Sequence, residues 1–104
     1  MPRVTMVRYT TKPGQDEENE RLSRAVFTEL REKAPEHVSY ALFRSGAHFV
    51  HLFVNMQADD AGVVTELASF KAYADGIGAR CEAPPEQTRL DLDLIESYGL
   101  AQPA

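Results

Sequence analysis

Residues 48–56, His-Phe-Val-His-Leu-Phe-Val-Asn-Met, form a β-rich run that is apolar on both faces. Successive side chains of a strand point to opposite sides, so Val50, Leu52 and Val54 face one way and Phe49, His51 and Phe53 the other. Helices of the same chain can cover one of these faces. The other would leave aromatic side chains in water, and for a small protein a symmetric homodimer is the first expected cover. The alternative is that long side chains of the same chain fold over it.

The rest of the chain fits around this strand. Val4, Met6, Val7 and Tyr9 sit among Thr and Arg from Arg3 to Thr11, a first strand stopped by the turn signal Lys12-Pro13-Gly14. A helix from Gln15 to Ala34 follows. Asp16, Glu17, Glu18 and Glu20 favour the positive end of its dipole, Leu22, Val26, Leu30 and Ala34 recur every four residues, and Pro35 stops it. Val38 to Arg44 and His48 to Met56 read as a hairpin around Ser45-Gly46-Ala47. After the loop Gln57-Ala58-Asp59-Asp60, the spacing of Val63, Leu67, Phe70, Ala74, Ile77 and Cys81 by three and four predicts one second helix, weakened at Gly76 and Gly78. Ala83-Pro84-Pro85 breaks the chain, and Thr88 to Tyr98 alternates Leu90, Leu92 and Leu94 with Arg89, Asp91 and Asp93 as a fourth, edge strand whose charges guard against unwanted pairing. The βαββαβ order predicts an α+β, ferredoxin-like arrangement: one four-stranded antiparallel sheet, strands one and three central, both helices on one face.

A chain of 104 residues, 43% hydrophobic and 26% charged, suits a single α+β domain over residues 1–104, with disorder expected only at Gln102-Pro103-Ala104. A net charge of −5 with scattered Lys and Arg disfavours nucleic acid as a partner. No apolar run approaches the roughly 20 residues that span a bilayer, and the start has no signal-like apolar stretch, so no membrane association and a cytoplasmic location are expected. The lone Cys81 excludes an internal disulfide and multi-cysteine metal sites, and burial is its expected fate. No phosphate loop, nucleophile elbow or H-E-x-x-H is present. His48 and His51, three apart on a strand, point to opposite faces and cannot chelate one ion; no metal and no cofactor are expected.

The strand Val4–Tyr9, the Lys12-Pro13-Gly14 turn, the acidic helix start, the hairpin, and a second helix carrying Leu67, Phe70, Tyr73 and Ile77 together resemble the dimeric α/β-barrel superfamily, in the branch of antibiotic-biosynthesis monooxygenases. The resemblance covers nearly the whole chain. It implies two sheets packed face to face in a dimer and a small ligand held between sheet and helices. Haem-degrading relatives carry an Asn, a Trp and a His together, with the His on the second helix; this chain has no Trp and no His between Val63 and Cys81, which disfavours that chemistry.

His51, between Phe49 and Phe53, has an ordinary pKa near neutrality and is a candidate for proton transfer together with Tyr73. The commoner fate of such a residue is structural, as a buried histidine bonded across the dimer interface. Tyr9, Tyr40, Arg44 and Asn55 are candidates for positioning a phenolic substrate, with core rims and solvated turns as their ordinary alternatives. The acidic run Asp16–Glu20 reads as a solvated helix start. By its resemblance the chain is expected to bind a small aromatic or polyketide-like compound and to oxidise it without a cofactor; the alternative is a non-catalytic binding or dimeric interaction module in which the aromatic face serves the dimer.

Overall fold

The computed structural model describes residues 2–57 and 62–100. The expected loop 57–60 and the chain end at 102–104 lie wholly or mostly outside the described residues. The elements are β1 (Arg3–Thr10), α1 (Asp16–Lys33), β2 (Val38–Ser45), β3 (His48–Asn55), α2 (Gly62–Thr65), α3 (Ala68–Ala74), α4 (Ile77–Arg80) and β4 (Glu86–Asp91). One antiparallel sheet runs in the order β2-β3-β1-β4, with β3 and β1 central, as the pattern requires of a ferredoxin-like fold. No helix among the described residues is long and apolar enough to cross a membrane.

Register decides the two faces. Val7 and Leu42 flank His51, Tyr9 and Arg44 flank Phe49, and Thr5 and Tyr40 flank Phe53, so these side chains share one face. That face carries the core: Tyr9, Phe49 and His51 are buried with Val26 of α1, Val64 of α2, Leu67 just before α3 and Tyr73 of α3. The helices therefore cover the aromatic face. The face left open carries Val50 and Leu52 beside Met6, Phe43 and Leu90, and exposures of 38% for Met6, 58% for Phe43 and 53% for Leu90 show that side chains of the same chain leave most of it uncovered, Val54 at its end being buried. This corrects the expectation that aromatic side chains of β3 would face a dimer partner.

The turn at Lys12-Pro13-Gly14 places Gly14 at φ +83° and hands the chain to α1, whose Gln15 carbonyl accepts from the Asn19 N–H. At the far end Ala34 takes the left-handed conformation, φ 48°, and its N–H bonds to the Leu30 carbonyl. The hairpin is tighter than its sequence suggests: Ser45 pairs with His48, leaving Gly46 and Ala47 to turn.

Two elements differ from expectation. The second helix is three short pieces. Leu67 is extended (ψ 137°), Gly76 is left-handed (φ +85°), and Glu29 of α1 accepts from both the Ser69 N–H (2.9 Å) and hydroxyl (2.6 Å), so tertiary contacts start α3 afresh. Hydrophobic spacing survives such breaks because each piece still turns its apolar side to the sheet. The fourth strand ends at Asp91, not Tyr98. It pairs only with β1, where Arg3 faces Asp91 and the Pro2 carbonyl takes the last bond from Leu92 N–H; Pro2 has no N–H to return. Leu92, Leu94, Ile95 and Tyr98 stand exposed.

Candidate functional site

Beneath the helices lies a cavity of about 350 Å³ bounded by all four strands, α2 and α3. β1 contributes Arg3, Thr5 and Val7, β2 Tyr40, β3 His51, Phe53 and Asn55, and β4 Gln87 and Arg89; Val64, Thr65 and Phe70 close the helical side. These strand residues reach one space because register puts them on the helix-bearing face (Thr5 opposite Arg89, Val7 opposite His51, Arg3 opposite Asn55). The volume is at the low end of ligand sites; most of the exposed wall is apolar, although eight of the twelve lining residues, Arg3 and Arg89 among them, are polar or charged.

His51 forms the wall between this cavity and a buried polar network. Tyr40 Oη lies 2.9 Å from Nδ1, and Tyr9 Oη 2.7 Å from Nε2. Tyr73 donates to Tyr9 Oη at 2.8 Å and lies 3.3 Å from Nε2. Behind Tyr9, Asn19 Nδ2 donates to its hydroxyl (2.8 Å), and Arg80 Nε donates to Asn19 Oδ1 (3.1 Å). Arg80 also bonds to the Tyr73 and Asp75 carbonyls and stacks on the Tyr73 ring. Every hydroxyl and ring nitrogen of the network thus has a partner, which offsets the cost of burying them.

Burial sets the protonation states. Without water or a counter-charge to stabilise imidazolium, His51 falls from 6.5 to about 4 and is neutral at pH 7. Burial also pushes the Tyr40 and Tyr73 hydroxyls far above the ordinary tyrosine value, with Tyr9 adding to both. The Tyr9 hydroxyl rises for the same reason, opposed by bonds from Tyr73 and Asn19. The ring is therefore a weak base but a good hydrogen-bond relay, one nitrogen giving and the other accepting.

Of the residues singled out in the sequence, Tyr9, Tyr40, Tyr73 and His51 meet in this network and Asn55 lines the cavity, its Oδ1 accepting from the Gln57 N–H at 2.9 Å. His51 bonds to tyrosines of its own chain, which corrects the picture of a histidine bridging an interface. Arg44 is elsewhere. It ties β2 to α1 through Asp16 (2.5 Å), Glu20 (2.8 Å) and Glu17 (3.3 Å) and lies over the Phe49 ring, so it has no contact with the cavity and the acidic run is in part its counter-charge. Among the described residues no group of three or more His, Cys, Asp or Glu could hold a metal ion.

Sequence reasoning missed Asn19 and Arg80. Both left a signal: Asn19 lies three and seven residues before Leu22 and Val26, on the apolar stripe of α1, and Arg80 continues the spacing of Tyr73 and Ile77. A polar residue on a buried stripe points to a buried partner.

No family model and no curated protein matches the chain. Solved structures do. Rv0793 from Mycobacterium tuberculosis is 21% identical with a TM-score of 0.77 over 92% of this chain and 100% of that one. A Caulobacter crescentus protein provisionally named antibiotic biosynthesis monooxygenase is 18% identical, with a TM-score of 0.75 over 89% and 91%. Another structure, named antibiotic biosynthesis monooxygenase, is 17% identical, with a TM-score of 0.68 over 90% and 100%. This chain has their ferredoxin-like fold. The ferredoxin-like chain fold expected from the sequence is borne out, while identities this low carry the backbone and not the reaction.

Proposed function

We propose that the chain binds a small aromatic compound between sheet and helices and oxidises it with molecular oxygen, without a cofactor, as a cytoplasmic homodimer of single-domain subunits. The observation that carries the reading is the mainly apolar cavity whose wall holds Tyr40 and His51 hydrogen-bonded to each other. The fold it shares with proteins named antibiotic biosynthesis monooxygenases supports the same choice.

For an anthrone-like substrate the reaction balances without a reductant: a ring CH2 and O2 give C=O and H2O, the substrate supplying all four electrons. The protein has then to exclude water, hold the ring, and stabilise charge on the substrate oxygen as the C–H proton leaves. Phe53, Val64 and Phe70 supply the apolar walls, and Tyr40 backed by His51 supplies the polar contact. Tyr9 and Tyr73 act through His51, and Asn55 supplies a further polar contact in the cavity wall. The open apolar face around Phe43, Met6 and Leu90 supports the dimer.

Oxygen uptake with a panel of hydroquinones and anthrones tests the reading. Wild-type protein is expected to consume oxygen with at least one of them, and Tyr40→Phe to lose about 10²-fold or more in turnover. No consumption across the panel refutes it. A second reading, a ligand carrier with no turnover, is favoured by the weak basicity of His51. It predicts tight binding of a panel member without oxygen uptake, and a His51→Gln variant that keeps that affinity.

A further inference from the structure

Counting donors through the buried network gives it a direction. Arg80 can only donate, so the atom of Asn19 that faces it at 3.1 Å is the carbonyl oxygen, and the amide nitrogen must face Tyr9. Tyr9 Oη already accepts from Asn19 and from Tyr73, and its own proton goes to His51 Nε2 at 2.7 Å. In the reverse arrangement, Tyr9 donating to Tyr73, the buried Tyr73 proton has Nε2 at 3.3 Å as its acceptor, so Nε2 is again the bare nitrogen. With Nε2 accepting, neutral His51 holds its proton on Nδ1 and gives it to Tyr40 Oη, 2.9 Å away. Tyr40 is left with its own proton to donate, and it lines the cavity.

We infer that Asn19, oriented by Arg80, is a positioning residue that fixes His51 as the Nδ1–H tautomer and turns the Tyr40 hydroxyl into a donor toward the cavity, which therefore selects a ligand carrying an acceptor oxygen there, as in an aromatic ketone or quinone. The tautomer follows from the network alone; the ligand clause rests on the proposed reading of the cavity.

The test is the long-range proton–nitrogen correlation spectrum of protein labelled with ¹⁵N-histidine at pH 7, in which the protonated and bare ring nitrogens are well separated. The chain has three histidines, and the His51 signals are those lost in His51→Gln. Wild type is expected to show Nδ1–H. Asn19→Asp keeps the bond to Arg80 but accepts where Asn19 donated, so Tyr9 turns toward it, His51 becomes Nε2–H, and Tyr40 donates inward. Adding Tyr9→Phe to that variant cuts the chain, and Tyr73, 3.3 Å from Nε2, restores Nδ1–H. A role confined to packing would move neither tautomer. Nε2–H in wild type overturns the proposal whether or not the variants fold, and Nδ1–H in folded Asn19→Asp overturns the role of Asn19.

The ligand clause is read with 9-fluorenone, a planar ketone, against fluorene, which lacks the oxygen. The ketone is expected to lose about tenfold in affinity in Tyr40→Phe and in Asn19→Asp while fluorene is unchanged. Equal losses for both probes, or no binding of either, overturn that clause. An oxygen-uptake panel without turnover would refute the oxygenase reading and leave the tautomer result standing.

Discussion

Lowering the pH from 7 to 4 is expected to remove about 3 kcal/mol of stability through His51 alone. In the folded chain burial holds this imidazole at about 4, against 6.5 when exposed to water. Below pH 6.5 the unfolded chain binds a proton that the folded chain refuses, so unfolding gains free energy as the pH falls. The contribution is fully present above about 6.5, is lost progressively between 6.5 and 4, and levels off below the folded value. A gap of about 2.5 units at about 1.4 kcal/mol per unit amounts to about 3–4 kcal/mol in full, of which about 3 is lost by pH 4, where the folded ring is half protonated. Urea unfolding at intervals from pH 7 to pH 4, in wild type and in His51→Gln, isolates the effect. Glutamine keeps one donor and one acceptor but does not titrate, so the variant is weaker at pH 7 and flatter below it. With slopes of 1–3 kcal/mol per molar urea typical of small proteins, the wild-type midpoint is expected to fall by about 2 M more than that of the variant. Parallel pH profiles would refute the burial argument, because residue 51 is the one titratable position at which the two proteins differ.

Three further outcomes follow from packing and exposure. Phe49→Ala, at a position 1% exposed between Tyr9 and Arg44, is expected to cost about 3–5 kcal/mol in chemical denaturation, and a loss below 1 kcal/mol would contradict its place in the core. Ala34→Gly relieves a left-handed residue at the end of α1 and is expected to stabilise by about 0.5–1 kcal/mol, net of the extra freedom glycine has when unfolded, as read by thermal unfolding. Phe43→Asp, on the open sheet face, tests the proposed dimer: it is expected to leave far-ultraviolet circular dichroism unchanged and to shift sedimentation from dimer to monomer, and a variant that remains dimeric would place the interface elsewhere.

Much of the fold was legible because its cues are local. Alternation in β1 to β3, the Lys12-Pro13-Gly14 turn, the stripe of α1 and the break at Pro35 depend on residues within a few positions of one another, and the elements they predict are present within about two residues. The departures came from distant partners. Glu29 restarts α3 from another helix, and β4 stops opposite Arg3, beyond which Pro2 accepts from Leu92 but has no N–H to return. Four polar members of the site, Tyr9, Tyr40, His51 and Tyr73, were visible as residue types, but Arg44 shows how little type says about place: a guanidinium two residues from a turn met three carboxylates of α1 instead of the cavity.

By itself the sequence determined the order of strands and helices, the central position of β1 and β3, and the existence of one apolar sheet face more than two helices can cover. These follow from periodicity and turn chemistry, which act over short stretches of chain. Only the tertiary structure decided that the aromatic face turns to the helices and that His51 is held neutral among three tyrosines. Desolvation and hydrogen-bond direction depend on every group packed around an atom, and the groups that set both here, from Tyr9 and Asn19 to Tyr73 and Arg80, are spread across the chain.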